Sequence, residues 1–375
     1  MANTLTNVIP QLLAQGLMAL RENAIMPRLI NHDYDKMAAQ KGSTITIPVP
    51  SAISVADVTA AATPATNTQL APTAVSIVMD QWKEAAFHLT DKEMMEVMSG
   101  TIPMQASEAI KALANTIDAA ILGLYKGVYG HAGTHGTTPF ASSTAAATEA
   151  RKVLSNQLCP LGDRRMVINA DAEANALGLR AFQDASFSGT VEAIRDGKIT
   201  KKLGFDWFMD QNVVSHTNGS QDGAYLVDNA TCAIGDSSTA IDTGSGTILE
   251  GDLFTVAGDT QVYVAGSGCT TTLLNFTPTM KVAWANNAAI TFKGTASTAY
   301  PVNLAFHRDA FAFVSRPLAD NTQGLGNMIM SATDKVSGIA LRLEVSREHK
   351  RTRFSYDVLY GVKLVRAELA ARLTG

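Results

Sequence analysis

Lys41-Gly-Ser-Thr-Ile-Thr-Ile-Pro-Val-Pro50 and Thr73-Ala-Val-Ser-Ile-Val-Met79 alternate apolar and polar residues with the period of two that marks a half-buried strand. Residues 51–73 between them are rich in Ala, Thr, Pro and Asn and almost free of charge. Together they read as a long two-stranded hairpin with a polar tip. A two-stranded ribbon is marginal by itself in water. Connections of this length are as a rule either functional or unstructured. One reading is therefore an arm that finds its partner on another chain; the other is a loop without fixed structure.

Upstream, Leu5, Val8, Ile9, Leu12, Leu13, Leu17, Met18 and Leu20 recur at helical spacing, with Asn3 or Thr4 as cap. The stripe packs on its own domain or is laid on a neighbouring subunit. Pro27 disfavours helix at Met26. Downstream, Thr90-Asp-Lys-Glu93 is a capping box that opens a short helix. A longer helix follows from near Pro103 to Gly127, with Ala106, Ala109, Ile110, Leu113, Ile117, Ala120, Ile121 and Leu124 on its apolar face. At 1.5 Å per residue it makes a rod of ~35 Å.

The next stretch alternates helix and strand: a helix over 144–157, the buried strand Arg165-Met-Val-Ile-Asn169, a helix from Asp171, and a further strand reached through Leu203-Gly-Phe-Asp-Trp-Phe-Met209. From His216 to Tyr300 the composition changes. There is no Arg, only Lys281 and Lys293 are basic, acids exceed bases by five, and short strands alternate with Gly/Ser/Thr turns. This reads as an inserted small β-barrel or sandwich. Strands return at 304–308 and 310–314, followed by a loop through Gly324 and Gly326. The chain ends in a hairpin of 339–345 and 353–359 with the charged tip Ser346-Arg-Glu-His-Lys-Arg-Thr352.

Composition narrows the function. The chain has 375 residues, enough for two to three domains at ~150 residues each. Hydrophobic residues are 46%, charged residues 17%, and the net charge is −4, which excludes general disorder and a broadly basic nucleic-acid binder. Three cysteines without a CxxC pair exclude a disulfide framework and a zinc ribbon, and the odd count fits a reducing compartment. No positive charge precedes Arg21, so no secretory signal is expected, and no apolar run reaches the ~18 residues of a membrane span.

No constellation carries enzymatic chemistry. His131 and His135 have the spacing of helical metal ligands but lie in a Gly-rich stretch. Gly235-Asp-Ser-Ser238, with His216 nearby, is explained by turn chemistry. Gly324-Leu-Gly326 lacks the third glycine of a dinucleotide fingerprint, there is no Walker loop, and Cys159 reads as a packing residue. No catalytic, cofactor-binding or metal-binding residue is assigned, and no cofactor is expected.

The order of these elements, an α+β chain, resembles the major capsid proteins of tailed bacteriophages, the Johnson fold, and more narrowly the short-tailed-phage coat family with an immunoglobulin-like insertion domain. Ala2-Asn-Thr-Leu-Thr6 leading to the 42–50 strand, the turn-strand unit Gly251-Asp-Leu-Phe-Thr-Val-Ala-Gly258, and Leu359-Tyr-Gly-Val362 with Arg366 and Glu368 resemble segments of that family. Ala367 stands where Pro is usual. The resemblance implies an N-terminal arm (1–40), an E-loop hairpin (41–83), a peripheral domain with spine helix (84–129), an axial domain (130–215 and 301–338), an insertion domain (216–300) and a peripheral C-terminal hairpin (339–375).

It further implies a coat protein that self-assembles into hexamers and pentamers of an icosahedral shell around double-stranded DNA bound without sequence specificity. A scaffolding protein and a portal would be partners, with no membrane, and assembly would occur in the bacterial cytoplasm. Arg21, Arg28, Trp82, Arg347, Lys350, Arg351 and Arg353 are the implied inter-subunit residues, with the tip meeting its copies near local three-fold axes. An encapsulin-like nanocompartment shell and a carbohydrate-binding or adhesin module are the alternatives.

Overall fold

The computed structural model describes residues 24–32, 44–49, 73–96, 101–184, 192–229, 232–318 and 327–374, with isolated positions between them. They form two compact units, one from 44–109 and 313–363, the other from 24–31, 110–312 and 364–374. Of the N-terminal helical stripe, Leu13, Leu17 and Met18 are described, Leu13 buried and Met18 exposed; its other residues and most of the 51–72 tip lie outside the described residues.

In the first unit, β1 (Thr44–Val49) and β2 (Thr73–Val78) pair antiparallel from Thr44↔Val78 to Val49↔Thr73, as the alternation requires. Ile45, Ile47, Ile77 and Met79 are buried, while Thr44, Thr46 and Pro48 are exposed. The ladder is a sheet of two strands only. Its base rests on Gly361: a Cβ there would stand 2.5 Å from the Val78 carbonyl oxygen, so only glycine fits.

The larger sheet of this unit has the order β16-β19-β18-β17, from strands Phe311–Ser315, Arg351–Leu364, Ala340–Glu348 and Met328–Thr333. β3 (Gln81–Thr90) adds to β19 from Thr90↔Arg351 to Gln81↔Tyr360. Leu341, Leu343, Phe354, Tyr356, Val358 and Tyr360 are buried in this sheet. The capping box forms as expected: Thr90 N donates to Glu93 Oε2 at 2.8 Å and Glu93 N to Thr90 Oγ1 at 3.3 Å, opening the helix Asp91–Glu96.

The second unit contains a five-stranded sheet of order β4-β20-β15-β5-β6, from Gly130–Ala132, Ala370–Leu373, Asn303–His307, Arg164–Ile168 and Asp206–Met209. β15 runs antiparallel to both neighbours, while β4 with β20 and β5 with β6 are parallel pairs. The helix Ala145–Asn156 packs on β4 and β20 through Ala146, Ala147, Ala150 and Leu154. The helix Ala170–Gly178 is capped by Asn169, whose Oδ1 accepts from Ala172 N at 3.2 Å. The long helix spans Thr101–Leu122 and buries Ile110, Leu113, Ala114, Ile117 and Ile121, spaced by three and four.

Between β7 (Ser215–Thr217) and β14 (Ala299–Pro301), which pair with His216 opposite Tyr300, the chain forms a six-stranded antiparallel sheet of order β13-β10-β11-β12-β9-β8. These strands are Ile290–Phe292, Leu253–Val256, Tyr263–Ala265, Leu273–Thr277, Ser238–Asp242 and Leu226–Val227. The sheet closes on itself. Val227 N donates to Ala288 O at 3.0 Å and Ile290 N to Tyr225 O at 3.0 Å, with a bridge between Leu226 and Ala289. Of the two options the sequence leaves open, the insert is thus a barrel. Tyr225, Phe254, Tyr263, Phe276 and Trp284 fill it, and the last four meet edge-on, tilted or stacked at 4.9–6.5 Å. Aromatics spent on a core are not available as a carbohydrate platform.

Four expectations need correction. Pro27 does not stop helix at Met26; it sits in the first turn of the helix Met26–Leu29, where a missing N–H costs nothing. The charged tip is not a seven-residue loop, because β18 continues to Glu348 and β19 restarts at Arg351, leaving His349 and Lys350 as the turn, with Lys350 at φ +54°. Residues 328–333, read with the axial segment, pair with β18 instead. Residues 370–373, read with the C-terminal hairpin, pair with β15 and β4.

Candidate functional site

The sheet of β3, β18 and β19 carries five of the seven residues singled out from the sequence. At its tip Arg347 Nη2 donates to Asp91 Oδ2 at 2.6 Å and Arg353 Nη2 to Glu84 Oε1 at 2.6 Å, while Arg351 pairs with Glu348. All three ion pairs are solvent-exposed and are made within the chain, so each contributes about 0–1 kcal/mol. Lys350 occupies the turn itself. Trp82 lies at the other end of the β3–β19 ladder, opposite Leu359; its Nε1 donates to Asp357 Oδ2 at 3.0 Å while 47% of the residue stays exposed. Asp357 is held in turn by the half-buried guanidinium of Arg342. Arg342 thus has an internal partner.

The cross-strand neighbours His88 and Arg353, with Phe87, Arg351 and Glu348, line a cavity of about 250 Å³ beside the tip. The Phe87 and Phe354 rings stack at 5.2 Å beneath it. Lys350 stands on the two-residue turn, and the three arginines beside it are each paired with an acid of the same chain. Arg28 belongs to the other unit, where its Nε donates to Ala24 O at 2.7 Å. Arg21 lies outside the described residues.

Sequence reasoning missed the buried polar joint between the barrel and the five-stranded sheet. His216 Nε2 lies 2.9 Å from Asp252 Oδ1, and its Nδ1 lies 2.8 Å from Tyr125 Oη. A carboxylate only accepts, so Nε2 donates to Asp252. Asp252 also receives Leu249 N at 2.9 Å and Gly219 N at 3.2 Å; a Cβ on Gly219 would stand 2.0 Å from Thr247 O. Arg372 is fully buried, donates to Gly251 O at 2.6 Å and Lys126 O at 3.3 Å, and sits 5.1 Å from the Tyr125 ring centre. Burial lowers its pKa to about 10.

His131 and His135 stack at 4.6 Å beside this joint, and His135 meets Tyr300 edge-on at 4.5 Å. Burial, then the nearby positive charges, push His131 down to about 3 and His135 to about 4, so both are neutral at pH 7. The pair is a packing element, and no group of three or more metal-ligating side chains occurs among the described residues. Asp236, in the Gly-Asp-Ser-Ser stretch, accepts from Ala233 N at 2.9 Å as a turn, and His216 is engaged elsewhere.

A second buried acid holds the helix Met26–Leu29. Asp118, from the long helix, accepts from Ile25 N and Met26 N at 3.1 Å each. Burial and the neighbouring Asp210 raise its pKa to about 7. Neither cluster has a local sequence signature, since its members come together only in the fold. The unexpected acid at position 118, on the face of a helix that is otherwise apolar, was the one available sign.

No family model matches the chain, and no curated protein matches it. Among solved structures, a chain of Mycobacterium phage Che8 is similar over 93% of this chain and 90% of its own length, at 18% identity and a TM-score of 0.54. The capsid structure of cyanophage P-SCSP1u is similar over 94% and 88%, at 13% identity and a TM-score of 0.49. The virus-like particle from Pyrococcus furiosus is similar over 96% of both chains, at 8% identity and a TM-score of 0.42. Over nearly the whole length of both chains, this chain therefore shares its fold with the Mycobacterium phage Che8 chain.

Proposed function

We propose that this chain is the major capsid protein of a tailed phage. Its copies form hexamers and pentamers that close into an icosahedral shell around double-stranded DNA, with a scaffolding protein and a portal as partners and the bacterial cytoplasm as the place of assembly. The observation that carries this reading is the near full-length fold likeness to a phage chain. The chemistry agrees with it. The β1–β2 ribbon leaves one face to solvent, as an arm laid over a neighbouring subunit would. Many individually weak contacts add up once the symmetry closes. The acidic barrel keeps finished shells apart by like-charge repulsion. Contact with packaged DNA would be through phosphates and blind to sequence. No described helix is long and apolar enough to cross a membrane.

Electron microscopy of the protein expressed alone and with its neighbouring genes tests this. Closed shells tens of nanometres wide are expected on the scale of ~40 Å subunit cores. A uniform monomer under both conditions would overturn the reading.

A further inference from the structure

The short helix Met26–Leu29 has no side-chain cap of its own. The N–H groups at its start, of Ile25 and Met26, are received instead by the two oxygens of Asp118 on the long helix. The far end of the same segment is tied separately. Arg165 donates to Leu29 O, Asn31 N to Phe311 O at 3.3 Å and Asn31 Nδ2 to Asp309 Oδ1 at 2.9 Å. Ala24, Met26, Leu29 and Ile30 are buried. Residues 24–31 thus form a strap fastened at both ends.

The Asp118 fastening is fully buried, and a second acid faces it. Asp210, 1% exposed, begins a loop that lies on the same helix: Asn212 Nδ2 donates to Asn115 Oδ1, one turn before Asp118, at 3.2 Å. One Asp210 oxygen accepts from Asn212 N at 2.8 Å; the other, Oδ2, is buried and has no donor to steady its charge. Arg28 faces Asp118 from the strap itself, with its Nε given to Ala24 O. The two N–H bonds favour ionised Asp118, but burial and the facing Asp210 oppose them and win, which is why it sits at about 7. Two buried carboxylates of like charge are not both ionised without cost, and a proton kept by the pair removes one of the charges.

We propose that the Asp118–Asp210 pair keeps a proton that latches the 24–31 strap onto the long helix, and that losing this proton lets the strap open locally while the rest of its unit stays folded. Opening puts Asp118 in water, where its carboxyl returns towards the ordinary 3.8. Between about 4 and 7 the closed strap therefore binds a proton that the open one has lost. The hold is fullest below that window, weakens by up to about ten-fold per pH unit through it, and changes no further above it. The latch does not depend on the shell reading above.

Amide hydrogen exchange of the full chain, read in peptides spanning 24–31 and corrected for the intrinsic pH dependence of exchange, tests the latch. Protection of the strap is expected to fall by at least about five-fold per unit from about pH 5 to 7 and then to level off, while peptides covering Leu253–Val256 in the barrel keep theirs. Asp210→Asn, which removes the facing charge at nearly constant size, should make the fall level off at a lower pH. Asp118→Asn should abolish it. Constant strap protection across that range overturns the proposal, as does a fall shared equally by the barrel peptides or one that survives Asp118→Asn. Should Asp118→Asn fail to fold, the native chain decides by a second measurement. Its infrared spectrum at about pH 6 is expected to show a protonated-carboxyl band that is gone well above pH 7. No such band at about pH 6 would also overturn the latch.

Discussion

The barrel of the second unit and the hairpin ribbon of the first deal with sheet edges in opposite ways. The barrel joins β8 back to β13, so no strand of its sheet is left with an open row of donors and acceptors, and its aromatic core is entirely its own. The β1–β2 ladder has two strands, two edges and one dry face. Val78 remains 44% exposed on its outer side. One element closes its backbone hydrogen bonds on itself; the other leaves its outer edges and one face to solvent. A single sequence can therefore hold both a closed sheet and an open ribbon. The distinction is visible in where the backbone hydrogen bonds end.

The sharpest way to break this comparison is to delete residues 55–68. The subunit should stay folded, with Trp284 emission unchanged because it reports the barrel core, while particles are lost. Normal particles would show that the ribbon is dispensable. Next in size, Asp252→Ala takes the acceptor from His216 Nε2, Leu249 N and Gly219 N. A buried donor left unsatisfied costs about 1–3 kcal/mol. Urea unfolding followed at Trp207 and Trp284 should shift by that amount, while Trp82, in the hairpin sheet, should not move.

Acidity should separate the two units further. His131 and His135 sit near 3 and 4 in the fold against 6.5 unfolded, so below pH 6.5 the unfolded chain binds protons that the fold refuses. Their contribution is fully present above pH 6.5 and drains away as pH falls towards 4. His135→Phe should flatten that part of the thermal-stability profile. Asp118 works the other way: near 7 in the fold against 3.8 unfolded, it favours the protonated fold, so its contribution falls as pH rises from about 4 to 7. Asp118→Asn should remove this smaller, opposite slope. Smallest of all, Arg351→Glu with Arg353→Glu breaks exposed pairs and should change subunit stability by less than about 1 kcal/mol per pair. Particle yield and shell heat stability should nevertheless drop; if both are unchanged, the tip is not an assembly contact.

What could be read from the sequence was what repeats locally. The strands at 44–49 and 73–78 announce themselves by alternation, the Thr90–Glu93 cap by two residues three apart, and the long helix by its apolar stripe. His216 and Tyr300, between which the composition changes, face each other across two strands. β3 escaped notice because Lys83, Glu84 and His88 interrupt its apolar residues, and it becomes a strand only against β19. β4 and β20 are too short to show a period. The Asp252–His216–Tyr125 chain and Arg372 were illegible for a different reason: a buried polar network is defined by partners far apart in sequence, each unremarkable in its own window.

The facing positions of His216 and Tyr300 bear on anyone wishing to re-engineer this chain. Because the barrel leaves and returns through adjacent backbone, it is a natural cassette site, where another folded domain could be grafted for display. Removing the barrel, however, strips Arg372 of the Gly251 carbonyl and of the Asp252 charge. A graft made without a compensating change would leave a bare cation in the floor. One that also replaces Arg372 with a neutral apolar residue such as Met would turn that floor into a seat for foreign cargo.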